Sequence, residues 1–198
     1  MRLFQFKTLV KITAMNRKYV IIGVSVFIVL FVAFISSYYY TKSFSPEGVT
    51  EFKEGDLEIH VSYGRPYKKG RVIFGDLVPY GKVWRTGANE PTMLETNKDI
   101  LVKGSLLKAG KYSLWTIPDE QVWTVIFNSK IPFWGVDFSR AASHDPKNDV
   151  ITVQVPSVQH EKVFEQFTID MHKTGGELEL ILLWDKTLVA VPIAVSEP

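Results

Sequence analysis

The chain is 198 residues long, carries a formal net charge of +2, is 46% hydrophobic and contains no cysteine. The length fits one ordinary domain plus some extra chain, and the apolar content excludes a disordered protein. The missing thiols exclude disulfides, thiolate zinc sites, iron–sulfur clusters, a cysteine nucleophile and a lipidated cysteine.

The charge is unevenly spread. Residues 1–42 carry Arg2, Lys7, Lys11, Arg17, Lys18 and Lys42 and no acid, which leaves 17 basic and 21 acidic residues in 43–198. An acidic body offers no electrostatic footprint for a phosphate backbone, so nucleic acid is excluded as a partner. Behind the basic flank of residues 1–18 runs Tyr19–Tyr38, uncharged throughout. A helix over residues 19–40 is long enough for the roughly 30 Å hydrocarbon core of a bilayer. Tyr19 at one end and Tyr38, Tyr39 and Tyr40 at the other suit the two aromatic belts. Five of the six basic residues precede the span. The positive-inside rule therefore predicts a single-pass protein of the cytoplasmic (inner) membrane, its N-terminus in the cytoplasm and its C-terminal domain outside. The run is longer than a signal-peptide core, and Ala33-Phe34-Ile35-Ser36-Ser37 is a poor cleavage site, so an uncleaved anchor is expected.

Residues 41–56, with Pro46, Gly48 and Gly55, read as a linker with room for one early strand. From residue 57 to 196 the dominant period is two. Leu57, Ile59, Val61 and Tyr63 alternate with polar neighbours; so do Ile151, Val153 and Val155, and then Phe167, Ile169 and Met171. Leu178, Leu180, Leu182 and Trp184 share a face of the next run. Pro118-Asp119-Glu120 predicts one hairpin, Asp185-Lys186 a second, and Lys173-Thr174-Gly175-Gly176 a Gly-containing turn. Some nine short strands of this kind predict an all-β body, an antiparallel β-sandwich or flattened barrel, behind one transmembrane helix. Its predicted floor is Trp115, Trp123, Phe127, Phe167, Leu180 and Trp184.

The densest segment is residues 63–90, rich at once in Gly, Pro, Arg and aromatic residues. Its motifs are Gly64-Arg65-Pro66, Lys69-Gly70-Arg71, Phe74-Gly75-Asp76-Leu77-Val78-Pro79-Tyr80-Gly81 and Trp84-Arg85-Thr86-Gly87-Ala88-Asn89-Glu90. Ala109-Gly110-Lys111-Tyr112-Ser113-Leu114, Ile117-Pro118, Trp123-Thr124-Val125-Ile126-Phe127-Asn128 and Trp134-Gly135 follow. Over about residues 57–172 these motifs resemble the domain-of-unknown-function family 2911 (DUF2911), a set of bacterial envelope proteins. The resemblance implies a secreted or membrane-associated β domain. It brings no assigned reaction and no catalytic residues.

Physically, Arg65, Arg71 and Arg85 suggest a planar cationic surface for carboxylate or phosphate groups. Trp84 is a candidate platform for a sugar ring or a guanidinium. Asn89 and Glu90 are candidates for directional hydrogen bonds. These six are the expected ligand-binding set. The plainer alternative pairs Arg85 with Glu90 or Asp76, so that the network merely pins a long loop.

Other chemistries find little support. Glu58 with His60 and Asp170 with His172 share strand faces at i, i+2, the ordinary product of alternation, and no metal site is expected from them. No serine elbow, Walker loop or dinucleotide glycine run is present, and no cofactor is expected. The leading expectation is a membrane-anchored extracytoplasmic module that binds an anionic or sugar-like ligand or an envelope protein. One rival is an envelope glycan hydrolase, with Glu90 as acid or base beside Asp76 or Glu95. Another is a purely structural partner of a membrane complex, which predicts an exposed apolar patch.

Overall fold

A computed structural model describes residues 17–195. The chain divides after Thr41 into an N-terminal unit and a body. In the first, α1 runs over Arg17–Ser43, and none of its residues is buried. Val and Ile make a poor isolated helix in water. In hydrocarbon, however, a lone segment can satisfy its backbone only as a helix. The segment has the length and composition of a membrane anchor or a signal sequence. Of the basic flank, Arg17 and Lys18 are seen at the start of α1; Arg2, Lys7 and Lys11 lie outside the described residues.

The body is built from β1 (Glu47–Glu54), β2 (Leu57–Gly64), β3 (Thr92–Thr96), β4 (Ile100–Val102), β5 (Ser105–Leu107), β6 (Gly110–Ile117), β7 (Val122–Asn128), β8 (Asp149–Thr174) and β9 (Glu177–Val195). They form one open sheet in the order β1-β2-β3-β6-β7-β8-β9-β4-β5. Every ladder is antiparallel. The all-β, antiparallel expectation holds. Residues 41–56, read as a linker, contain β1, which pairs along its whole length with β2.

Alternation fixes which face is dry. Leu57, Ile59, Val61 and Tyr63 of β2 join one core with Leu178, Leu180, Leu182 and Trp184 of β9. Each large side chain fully buried in this way contributes about 1.5–3 kcal/mol. The sheet curls so that β1 approaches the second half of β8. Thr50 Oγ1 and Tyr63 Oη donate to Ile169 O at 2.6 and 3.0 Å. Beyond β2 the chain continues the closure: Phe167 N donates to Pro66 O at 2.9 Å and Lys68 N to Glu165 O at 2.6 Å.

The predicted hairpin at Asp185-Lys186 is not a turn. β9 passes straight through, and its register with β8 shifts on both sides of Asp185, with the extra residues on β8: 160–163 stand against Lys186 alone and 165–167 against Trp184 alone. Burial falls on even-numbered residues through Trp184 and on odd-numbered ones from Thr187. The change of phase falls at Asp185, which holds the left-handed conformation with φ +55°. β8 is likewise one long strand with register shifts between Gln159 and Thr168. The hairpin at Pro118 and the turn after Thr174 fall where predicted.

Trp115 departs from the expected floor. It is fully buried but lies outside the main core. Its neighbour Leu114 points into that core, so the pleat turns Trp115 to the other face. There residues 129–148 cover it. His144 packs on its ring at 5.6 Å, and Ser113 Oγ accepts from its Nε1 at 2.8 Å while donating to Lys130 O at 2.7 Å.

Candidate functional site

Loop 81–91 bridges the sheet between β2 and β3. Trp84 makes a two-way backbone bridge with Thr116, N to O at 2.7 Å and O from N at 2.9 Å. The loop then bends sharply. Thr86 and Asn89 hold φ of +54° and +67°, conformations rare for non-glycine residues and costly for a β-branched one. The bend is tied down from within. Trp84 Nε1 donates to Gly87 O at 3.1 Å, Thr92 N to Arg85 O at 3.1 Å, and the Thr86 and Thr116 hydroxyls meet at 3.1 Å. Its underside touches β2. A Cβ on Gly64 would sit on the Ala88 carbonyl oxygen, so only glycine admits this approach.

The six predicted residues separate into distinct roles. Arg65 lies over Gly48 and reaches β8, donating from Nε to Phe167 O at 3.4 Å and from a terminal nitrogen to Thr168 Oγ1 at 3.3 Å. Arg71 closes its own loop on the carbonyls of Lys68 and Tyr67. Arg65 and Arg71 thus take different partners and do not share one surface with Arg85. Trp84 is only 9% exposed. Its ring stacks on Trp184 at 5.9 Å and meets Phe167 edge-on at 5.1 Å, so it is a core residue and not a platform. Asn89 is buried. Its side chain donates to Ser45 O at 3.3 Å and its carbonyl accepts from Gly135 N at 2.9 Å. Glu90 pairs with Lys42 at 2.9 Å.

Lys42, Glu47, Asn89 and Glu90 line a hollow of about 170 Å³ together with Ser45, Ser62 and Met93. Neither Asp76 nor Glu95, the carboxylates considered beside Glu90, lines it. Glu95 is paired with Lys111 at 3.0 Å.

Arg85 stands apart. It follows a bridge residue, so its side chain leaves the opposite face from that of Trp84. Its stem lies against Gly135, where a Cβ would collide with Arg85 Cδ. Its Nε is buried without a hydrogen-bond partner. Among the described residues no carboxylate pairs with it; Glu90 and Asp76, the expected partners, do not. Loss of water around the guanidinium pulls its pKa below the ordinary arginine value. The group nevertheless stays charged at any physiological pH.

Gly135 and Lys42 are site residues that the sequence reading did not single out. The Trp134-Gly135 motif was the available signal for Gly135. Lys42 gave none, because it stands 48 residues from Glu90.

Fold and site together define a small antiparallel β body, preceded by an apolar helix, with a rigid loop that carries one unpaired arginine. The chain belongs to the DUF2911 family of proteins of unknown function, whose model matches residues 45–193. The matched region begins just after α1 and ends inside β9, so it takes in nearly the whole sheet. No curated protein and no solved structure matches the chain.

Proposed function

We propose that this protein is a single-pass, membrane-anchored module that holds its β body outside the cytoplasm and binds an anionic envelope ligand at Arg85. The basic residues ahead of α1, its uncharged length and its terminal tyrosines support the anchor and its orientation.

The observation that carries the binding reading is the unpaired, partly desolvated guanidinium, its Nε buried without a partner. A buried charge without a partner is strongly unfavourable, and a carboxylate or phosphate would relieve it. Arginine presents its donors as a planar fork that matches either group through two parallel bonds. The loop is fixed beforehand by Trp84, Thr86 and Asn89, which lowers the ordering penalty of binding.

The test is calorimetric titration of the full chain in lipid nanodiscs with glucuronate and with inorganic phosphate. Binding of at least one probe is expected for the native chain. Arg85→Met should abolish it, and Arg85→Lys, a point charge without the fork, should weaken it about tenfold or more. Equal binding by the native chain and Arg85→Met, or no binding of either probe, refutes the reading.

A further inference from the structure

The segment that covers Trp115 has an outer surface with its own character. Between β7 and the short 3-10 turn at Pro146–Asn148, the chain exposes Ile131, Phe133 and Phe138. Phe133 is 78% exposed and Phe138 wholly so. Large aromatics are seldom left this bare on a soluble surface.

Phe138 is held out by a built turn. The Asp137 carboxylate accepts from Ser139 N at 2.8 Å, Ser139 Oγ at 2.6 Å and Ala141 N at 3.1 Å. Asp137 N donates to Ala141 O at 2.9 Å, and Arg140 N donates to Asp137 O at 3.0 Å. One carboxylate thus ties the backbone on the far side of Phe138. Its base is fixed as well: Gly135 N is bonded to Asn89 O, and Ser143 N donates to Gly135 O at 3.1 Å. Exposure here comes from an ordered tip.

A second observation bears on what the tip can meet. Only Phe44, Ser45 and Pro46 separate the last residue of α1 from the first of β1. Three residues span at most about 10 Å of extended chain. If α1 is a membrane anchor, the body therefore cannot leave the neighbourhood of the bilayer surface. The tip carries the matching chemistry. Apolar rings suit the boundary between headgroups and acyl chains, and the exposed Arg140 beside them suits an anionic headgroup, whereas Lys130 is paired with Asp145 at 3.2 Å.

We propose that the loop bearing Ile131, Phe133 and Phe138 inserts into the interface of the same membrane that anchors α1. The partner is lipid. This rests on the anchor reading above, and the experiment separates the two.

The chain has no cysteine, so single labels are unambiguous. Phe138→Cys, Val29→Cys in α1 and Glu120→Cys each carry an environment-sensitive fluorophore. Glu120 is exposed and sits at the opposite end of β7 from the loop. The full chain is placed in vesicles of phosphatidylcholine with a minor fraction of phosphatidylglycerol, with and without a spin-labelled quenching lipid. A blue shift and a severalfold loss of emission at both 138 and 29, with neither at 120, is the expected result. Quenching at 29 while 138 behaves like 120 overturns the proposal and leaves the anchor standing. Quenching at neither 29 nor 138 removes the anchor and the proposal together. A blue shift at 138 that the quenching lipid does not touch means contact with protein, and overturns it too.

Discussion

Arg85→Met separates a structural arginine from a receptive one by the sign of its effect. The methionine keeps an unbranched stem of similar reach against Gly135 and removes the charge. A paired structural arginine leaves an orphaned carboxylate when it is removed, which costs about 3–5 kcal/mol. Arg85 has no such partner among the described residues, and its Nε is already unbonded. Replacing buried ionic groups by apolar ones is often neutral or stabilising by up to about 4 kcal/mol. Arg85 is only partly covered, and of its nitrogens only Nε is buried without a partner. The expected gain is therefore smaller, about 1–2 kcal/mol. For a body of roughly 150 residues, each kcal/mol moves Tm by about 2–4 °C, so the variant should melt about 2–8 °C higher. The assay is near-UV circular dichroism of the full chain in nanodiscs, with and without phosphate. Phosphate should raise the native Tm and leave that of the variant unchanged, because only a ligand bound to the folded state stabilises it. A variant destabilised by more than about 2 kcal/mol would show that the guanidinium holds the loop together, and the binding reading would fall.

Two further outcomes follow from the same contacts. Trp84→Ala should lower stability by about 3–5 kcal/mol, because it empties the aromatic cluster of Phe74, Phe167, Trp123 and Trp184. An unfolding free energy from urea titration within about 1 kcal/mol of the native value would contradict its placement in the core. The carboxyls of Asp99, Asp137 and Asp145 are all held below the usual range, chiefly by hydrogen bonds from Lys108, Ser139 and Lys130 respectively. A folded pKa below the unfolded one means a contribution that is complete above the unfolded value, near pH 4, and is lost as pH falls through the folded value. Thermal melts should therefore show these three contributions disappearing only below about pH 4, with Asp137→Asn, Asp99→Asn and Asp145→Asn each flattening the acid limb. An acid limb unchanged in all three variants would refute the assignment.

The sheet was legible where a strand keeps one face in the core and a period of two survives in the residue order, as in β2 and β9. The same simplicity misled at Asp185-Lys186. A polar pair between two apolar runs reads as a hairpin, yet a left-handed residue inside a continuous strand produces the same pattern. What tells them apart is the partner strand, which a single sequence does not show. Trp115 was read as core by hydrophobicity alone. The face it occupies follows only once Leu114 is known to point inward. In the 64–90 segment there is no period to read. Composition marked it as unusual, but it could not show that Arg65 and Arg71 are bonded to carbonyls and a hydroxyl while the Nε of Arg85 has no partner. A missing partner is a property of every acid's position at once.

The pairing of Trp84 with Arg85 links these levels. The bridge to Thr116 makes Trp84 extended, so two neighbours in sequence leave by opposite faces. Burying one indole, at about 3–5 kcal/mol by the same measure as its removal, is large enough to hold the next residue where its own electrostatics would not. Thr86 at φ +54° and Asn89 at φ +67° add strain of the same sign, about 1–3 kcal/mol each, which the surrounding bonds must offset. A loop built only to connect β2 and β3 has no need of a desolvated charge or of two left-handed residues. A loop that must present one guanidinium in a fixed pose needs both a deep anchor beside it and a rigid bend behind it. Trp84 is then a positioning residue. On the proposed reading it would serve binding through Arg85 and not through any contact of its own with a ligand.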